Sequence, residues 1–258
     1  MSKRSLFPYL VFLIAYSGLG PLALAAQDQP GLRNVDFPGP GGVTLRGYLA
    51  QPDAPGPHPV LLVVHEWWGL TQNITKLADR LAARGYLVLA PDLYRGPTAT
   101  TAAEAKTYSD PANFPRFAAD ADAALAWIKA QPGADASRTA SLGFCFGGRQ
   151  SLFAGTRHGE FKATVILYGS GLIGVPEQVG KLGQGGPVLG IFGAEDKSIP
   201  AAQRALFAGL LADKKIAYTE KVYPGVGHAF VKDATIDKPG PAAVAWAEIL
   251  AFLKKNLG

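Results

Sequence analysis

The stretch Ser141-Leu142-Gly143-Phe144-Cys145-Phe146-Gly147-Gly148 carries the pattern that decides the fold. An apolar run typical of a buried strand passes here into a segment with helical periodicity. A side chain at such a sharp turn stands above the sheet on a strained backbone, and the flanking glycines are needed because a Cβ there would clash. The pattern Gly-x-Cys-x-Gly therefore predicts a nucleophile elbow with cysteine in place of serine.

The segments on either side of this turn alternate between strands and helices. The continuous apolar run Val60-Leu61-Leu62-Val63-Val64 is typical of a strand covered on both faces. Further strands are expected at 32–37, 43–50, 86–90, 138–144, 163–168, 187–192 and 217–223, and helices at 71–84, 114–130, 147–158, 200–214 and 241–257. Since strands that alternate with helices of this length form βαβ units, the sequence predicts an α/β fold with a mostly parallel central sheet and helices on both faces. The glycine-rich stretch 171–186 is expected to be a surface loop.

The beginning of the chain has the pattern of a secretory signal peptide. Two basic residues precede a largely apolar run over 6–20, and Ala23 and Ala25 form a small-residue cleavage site. A membrane anchor is the alternative, but the run is shorter than the ~20 residues that a spanning helix needs. We expect export to the periplasm or the exterior with loss of residues 1–25, which leaves 26–258 as a single α/β domain without a stable membrane anchor.

Composition excludes several classes of protein. The 258 residues are 48% hydrophobic and 17% charged, which is too apolar for intrinsic disorder. The formal net charge is +5, but no basic run exceeds a pair of lysines, so nucleic acid is not an expected partner. The single cysteine excludes an internal disulfide, and the four histidines show no ligand spacing. We therefore expect neither a metal nor an organic cofactor.

Cys145 has two readings. A lone cysteine is often a small buried hydrophobic residue. An exported protein is an unusual place for a single idle thiol, however, and a core cysteine has no reason to lie between glycines at a strand-to-helix turn. A helix start also directs N–H groups and partial positive charge at the side chain, which favours a thiolate. These features favour Cys145 as a nucleophile.

Two polar residues follow Cys145 in an order that suits catalysis. Asp196 follows the apolar run over 187–192, and His228 lies in a glycine-rich segment after the run over 217–223. Taken singly, Asp196 would be a helix N-cap and His228 a solvated loop histidine. Nucleophile, acid and base in this order favour a triad in which the imidazole takes the thiol proton and the carboxylate orients the imidazole.

Five motifs make the chain resemble the dienelactone hydrolase family, a cysteine-nucleophile branch of the α/β-hydrolases. In order they are His65-Glu66-Trp67-Trp68-Gly69, Ala90-Pro91-Asp92-Leu93-Tyr94, Gly143-Phe144-Cys145-Phe146-Gly147-Gly148, Gly193-Ala194-Glu195-Asp196 and Tyr223-Pro224-Gly225-Val226-Gly227-His228-Ala229-Phe230. They span essentially the whole mature chain. The resemblance implies the α/β-hydrolase fold, with Cys145 as nucleophile, His228 as base and Asp196 as its orienting acid.

The same resemblance assigns the neighbours of the triad. Glu66 is similar to the family's additional carboxylate, which contacts the thiol and helps to activate it when substrate arrives; a solvated loop glutamate is the alternative. The backbone N–H groups of Phe146 and Trp67 would form the oxyanion hole. Trp67 and Trp68 would enlarge the aromatic wall beside it.

The chain departs from the family at the residues that hold a substrate carboxylate. Characterised lactone-cleaving members use arginines there, whereas this chain has Arg95 one residue earlier than expected and Lys232 in place of a second arginine. Lysine is a point charge and cannot make the same bidentate contact. We expect Arg95, Lys232 and Trp68 to line the substrate site, with ordinary surface cations as the alternative for the first two.

The sequence therefore predicts a hydrolase that cleaves an ester or lactone bond of a small molecule, with carboxylate-bearing substrates as one option, through an acyl-Cys145 intermediate. A carboxylesterase or thioesterase of broad specificity is the first alternative. A binding or thiol-redox protein with the same fold is the second, although redox cycling usually needs a resolving cysteine. We expect a monomer or a small homo-oligomer.

Overall fold

The structure is a computed structural model that describes residues 32–96, 98–172 and 176–258. The predicted signal peptide over 1–25 lies outside these residues. In the described part of the chain, no helix is both long and apolar enough to cross a membrane.

The centre of the fold is one sheet with the strand order β1-β2-β4-β3-β5-β6-β7-β8. The strands are Val35–Pro38 (β1), Thr44–Ala50 (β2), His58–Val64 (β3), Leu87–Pro91 (β4), Ala134–Phe144 (β5), Ala163–Leu167 (β6), Val188–Gly193 (β7) and Tyr218–Tyr223 (β8). The pairs β1–β2 and β2–β4 are antiparallel, and all the other pairs are parallel. This confirms the prediction of a mostly parallel sheet.

Helices cover both faces of the sheet. They are Gln72–Ala82 (α1), Ala102–Tyr108 (α2), Phe114–Lys129 (α3), Phe146–Arg157 (α4), Ala201–Asp213 (α5) and Pro241–Leu257 (α6). Alternate residues of β3 divide between two clusters: Leu61 packs in the cluster that contains α1 and α6, and Leu62 in the cluster that contains α3. Because successive side chains of a strand point to opposite faces, these helices lie on opposite sides. The α/β-hydrolase fold is therefore confirmed.

Two segments differ from the sequence prediction. Helix α2 was not expected, because only its Ala105 is buried and its sequence carries almost no apolar periodicity; a capping box between Thr101 and Glu104 begins it instead. The glycine-rich stretch 171–186 contains two short 3₁₀ turns, Pro176–Gln178 and Leu182–Gln184. The other elements lie within a few residues of their predicted bounds.

The parallel strands bring distant parts of the sequence together at one edge. Strands β3, β5 and β7 are mutually parallel through β6, and β8 is parallel to β7. The segments that follow them begin at His65, Cys145, Ala194 and Pro224. Since ligand sites of open parallel sheets lie beyond the carboxyl ends of the strands, this edge is where a site is expected.

Candidate active site

The turn between β5 and α4 is a strained elbow with Cys145 at its apex. Cys145 has φ 55° and ψ −115°, a conformation that a residue with a side chain rarely adopts. A Cβ on Gly143 would lie 1.9 Å from the carbonyl oxygen of Gly147, and one on Gly147 would lie 2.1 Å from that of Val64. Both positions therefore require glycine, and the elbow holds the thiol above the carboxyl edge of the sheet.

Three side chains from three loops meet above this edge. Nε2 of His228 lies 3.0 Å from Sγ of Cys145, and Nδ1 of His228 lies 2.6 Å from Oδ2 of Asp196. The carboxylate accepts the Nδ1 proton, which leaves Nε2 free to accept the proton of the thiol. The structure thus brings the three predicted triad residues into one hydrogen-bonded row.

Ser198 is a polar neighbour of the triad that the sequence analysis missed. Its backbone N–H and its hydroxyl both donate to Oδ1 of Asp196, at 2.9 and 2.5 Å. Burial raises the pKa of Asp196, but hydrogen bonds from Ser198 and His228 outweigh burial and bring that pKa below its ordinary value. The signal was present in the sequence as Asp-x-Ser, the spacing at which an aspartate accepts from the backbone two residues on.

The thiol of Cys145 is protonated at rest. Burial raises the pKa of Cys145 to about 11, assisted by the carboxylates of Glu66 and Asp196 and opposed by the backbone N–H groups of Phe146 and Trp67. The helix start favours the thiolate, as expected, but desolvation of the sulfur outweighs those N–H groups. Formation of a thiolate at this position therefore requires a neighbouring group that can accept the proton.

The predicted oxyanion-hole donors converge on the sulfur. The backbone N–H groups of Phe146, at the first position of α4, and of Trp67, in the loop after β3, both lower the pKa of Cys145 by favouring negative charge on its sulfur. These donors come from loops that are far apart in the sequence. The arrangement can stabilise negative charge that develops beside Sγ.

Glu66 is a buried carboxylate next to the triad, with 6% of its surface exposed. Burial raises the pKa of Glu66, while Lys232, Asn73 and His228 oppose that rise. Within the described residues its carboxylate makes no hydrogen bond to Sγ of Cys145, and its negative charge raises the pKa of the thiol.

The residues expected to bind substrate occupy three different positions. Arg95 donates from Nε and a terminal nitrogen to the two oxygens of Asp120, at 2.8 and 2.7 Å, and Asp120 is almost fully buried. The guanidinium of Arg95 is therefore paired with Asp120, and Arg95 does not line the cavity above Cys145. Lys232 is exposed and lines a neighbouring groove instead. Trp68 packs edge-on against Trp67 at 5.1 Å, outside that cavity.

The cavity above Cys145 has a volume of about 540 Å³. The triad side chains line it together with Trp67, Ser170 and Ser198, and the exposed residues Glu195 and Lys197 stand at its margin. A cavity of this size suits a small molecule with one scissile bond against the sulfur. In the described part of the chain, no group of three or more histidine, cysteine, aspartate or glutamate side chains is arranged to hold a metal.

The fold and the site together define the class of the protein. A mostly parallel sheet with cysteine, aspartate and histidine side chains in that chain order at its carboxyl edge, and with the cysteine on a strained strand-to-helix turn, is typical of an α/β-hydrolase.

Comparison with known proteins specifies the family. The sequence profile of the dienelactone hydrolase family matches residues 45–257. A protein of Methylorubrum extorquens with the provisional name carboxymethylenebutenolidase is 33% identical over an alignment of 261 positions that covers 95% of this chain and 88% of the relative. A protein of Yersinia pestis with the same provisional name is 34% identical over 74% of this chain and 76% of its own length. The chain therefore belongs to the dienelactone hydrolase family, and it is a hydrolase.

Solved structures agree with this assignment. A Klebsiella pneumoniae protein, provisionally described as a dienelactone hydrolase, superposes with a TM-score of 0.73 at 29% identity and covers 86% of this chain and 98% of its own. A dienelactone hydrolase-like promiscuous phosphotriesterase from metagenomic libraries superposes with a TM-score of 0.75 at 26% identity, over 87% of this chain and 97% of its own.

Proposed function

We propose that the protein hydrolyses ester or lactone bonds of small molecules through an acyl-Cys145 intermediate. The observation that carries the proposal is the position of His228, whose two ring nitrogens lie 3.0 Å from the thiol and 2.6 Å from Asp196. A base placed between a nucleophile and an orienting carboxylate is the arrangement that covalent acyl transfer requires.

The reaction proceeds in two halves. As Sγ of Cys145 attacks the carbonyl carbon, Nε2 of His228 takes the thiol proton, and the carbonyl oxygen becomes an oxyanion between the N–H groups of Phe146 and Trp67. The C–O bond then breaks, and His228 returns the proton to the departing alkoxide. In the second half, His228 takes a proton from water as the water oxygen attacks the thioester, and it returns that proton to the sulfur as the C–S bond breaks, which releases the carboxylic acid and restores the thiol.

The substrate class follows from the cavity and from the cations around it. A volume of about 540 Å³ suits a small lactone or ester, and carboxymethylenebutenolidase, the provisional name of several relatives, denotes a lactone-cleaving enzyme. The bidentate pairing of Arg95 with Asp120 favours a second candidate, an esterase that accepts neutral substrates, because that arginine is occupied. Carboxylate recognition would then depend on Lys197 at the margin of the cavity and on Lys232 in the neighbouring groove.

The test compares p-nitrophenyl acetate and a neutral aromatic lactone as substrates of wild type, Cys145→Ala and His228→Ala. We expect wild type to hydrolyse both, Cys145→Ala to be inactive, and kcat of His228→Ala to fall by orders of magnitude because the base is lost. Mass spectrometry of the wild-type protein, quenched during turnover, should show an acyl group on the peptide that contains Cys145. Full activity in Cys145→Ala would refute the proposal.

Export is part of the same proposal. The basic start, the short apolar run and the small residues before position 26 support a mature chain that begins at Ala26 or Gln27. N-terminal sequencing of the protein from its host tests this, and an intact Met1 or Ser2 would contradict it.

A further inference from the structure

His65 is a fully buried histidine beside the active site, at the end of β3, that the catalytic steps do not use. Its Nδ1 lies 2.7 Å from the carbonyl oxygen of Glu66, and its Nε2 accepts the backbone N–H of Leu93 at 3.2 Å. Its ring stacks on Phe146 at 5.8 Å with an interplanar angle of 19°. One side chain therefore joins the loop after β3, the loop after β4 and the start of α4.

The two hydrogen bonds define the protonation state of His65. A carbonyl oxygen can only accept, so Nδ1 carries a proton, and a backbone N–H can only donate, so Nε2 carries none. Burial lowers the pKa of His65 and outweighs the opposing charge of Asp92, whose carboxylate also pairs with Arg33 at 2.7 Å. The ring is thus neutral and in a single tautomer.

The carbonyl that His65 holds belongs to the peptide group that supplies one oxyanion donor. Glu66 C=O and Trp67 N–H are the two ends of one planar trans peptide, so they point in opposite directions. The carbonyl accepts from His65 on one side and from the N–H of Gly69 at 3.0 Å. With the carbonyl fixed in this direction, the Trp67 N–H is directed at Cys145, where it lowers the pKa of the thiol.

Tyr94 supports the next peptide group, which joins Trp67 to Trp68. The Tyr94 hydroxyl donates to the carbonyl oxygen of Trp67 at 3.0 Å, and its ring lies edge-on to His65 at 4.7 Å. The hydrogen bonds that the Glu66 carbonyl accepts from His65 and Gly69 also polarise the Trp67 N–H of the same peptide, because chains of hydrogen bonds strengthen one another. Together these contacts leave the Trp67 N–H little freedom to turn away from Sγ.

We propose that His65 is a positioning residue for catalysis, which aims the Trp67 N–H into the oxyanion hole by donating its Nδ1 proton to the carbonyl of Glu66. The effect of His65 on kcat rests on the proposed function. Its tautomer and its orientation of the Glu66–Trp67 peptide can be measured without turnover.

Three variants separate the two hydrogen bonds of His65. His65→Phe keeps a ring against Phe146 and removes both bonds. His65→Asn places an amide nitrogen near the position of Nδ1 and restores the donor to Glu66, whereas His65→Gln places a carbonyl near Nε2 and restores the acceptor for Leu93. A purely structural role predicts that activity follows stability in all three.

The kinetic expectation is a fall in kcat with little change in KM. For His65→Phe and His65→Gln we expect kcat for p-nitrophenyl acetate to fall about 10-fold or more, since loss of one oxyanion donor costs about 10²–10³. His65→Asn should recover most of this loss. Phe161→Leu, a buried substitution near the amino edge of the sheet, is the stability control and should lower Tm without changing kcat. Wild-type kcat in His65→Phe, or equal losses in His65→Asn and His65→Gln, would overturn the inference.

Nuclear magnetic resonance gives the readout that does not depend on turnover. The ¹⁵N signals of His65 should show Nδ1 protonated and Nε2 unprotonated across about pH 5–8, the range in which an ordinary histidine titrates. The amide signal of Trp67 should shift in His65→Phe and His65→Gln and stay near its wild-type position in His65→Asn. An Nε2–H tautomer or a charged ring would overturn the inference. If wild type does not hydrolyse esters, the proposed function fails while this measurement still decides the role of His65.

Discussion

Ser198 donates both its backbone N–H and its hydroxyl to Oδ1 of Asp196, at 2.9 and 2.5 Å. The other carboxylate oxygen is thereby left to Nδ1 of His228, at 2.6 Å. The acid of the triad is held by a residue two positions away, so its orientation is fixed locally within the loop after β7.

Removal of the Ser198 hydroxyl should shift the pH profile of the enzyme. Hydrogen bonds from Ser198 lower the pKa of Asp196, and the triad needs this carboxylate ionised. In Ser198→Ala the pKa of Asp196 rises, so the acid limb of kcat against pH should move to higher pH, with kcat reduced at mildly acidic pH and nearly restored at alkaline pH.

A matched control exists on the surface of the same protein. Ser137 donates its N–H and its hydroxyl to Asp135, at 3.0 and 2.6 Å, in the same two-residue spacing. Ser137→Ala should leave the pH profile unchanged. Identical profiles for Ser198→Ala and wild type would show that the hydroxyl does not influence Asp196.

Alkylation of Cys145 should report a thiol rather than a thiolate. Because burial raises the pKa of Cys145 to about 11, the rate constant for iodoacetamide labelling should keep rising through the alkaline range without a plateau near neutral pH. Labelling should be single and should abolish hydrolysis, and mass spectrometry with residual activity measures both. A plateau at or below neutral pH would indicate a preformed thiolate–imidazolium pair with His228.

The elements that the sequence predicted well are those with a local signal. The Gly-x-Cys-x-Gly pattern identified the elbow because two of its glycines face backbone that leaves no room for a Cβ. Asp196 and His228 could be placed beside Cys145 because each follows a predicted strand, and parallel strands bring their carboxyl ends to one edge. The sequence pattern and the expected parallel topology were therefore sufficient to place Cys145, Asp196 and His228 at the same edge of the sheet.

The features that the sequence could not supply depend on contacts between distant residues. The pairing of Arg95 with the buried Asp120 joins residues 25 positions apart, and the bond between His65 and Leu93 joins residues 28 apart. The pKa of Cys145 depends on burial, which no local pattern records. Sequence reasoning therefore named the side chains that meet at this edge of the sheet but not the contacts that orient or neutralise them.

Arg95 should contribute to stability and not to substrate binding. Its guanidinium makes two hydrogen bonds to Asp120, whose side chain is 1% exposed. Arg95→Ala should lower the free energy of unfolding by about 1–3 kcal/mol, the cost of a buried charged acceptor that loses a partner, although Arg116 still contacts the same carboxylate.

Urea unfolding measures the stability effect, and steady-state kinetics measure binding. The KM values for an anionic ester and for its neutral methyl ester should both stay at their wild-type values in Arg95→Ala. A selective rise in KM for the anionic ester would place Arg95 in the substrate site after all.

Lys232 should influence activity through the ionisation of Glu66. Burial raises the pKa of Glu66, and the positive charge of Lys232 is the largest opposing influence. In Lys232→Ala that opposition is lost, so the pKa of Glu66 rises further and a larger fraction of the carboxyl group is protonated at mildly acidic pH. If ionised Glu66 helps to activate the thiol, kcat/KM should fall on the acid side and recover as the pH rises.

Lys238 provides the matched control, because it is an exposed lysine that lines the same groove as Lys232. Lys238→Ala should leave the acid limb of kcat/KM in place, whereas Lys232→Ala should move it to higher pH. Glu66→Gln, which cannot ionise, should lower kcat/KM. Adding Lys232→Ala to this variant should then have no further effect on kcat/KM, since Lys232 acts through the ionisation of Glu66. Additive effects in the double variant would show that Lys232 acts on the substrate directly and not through Glu66.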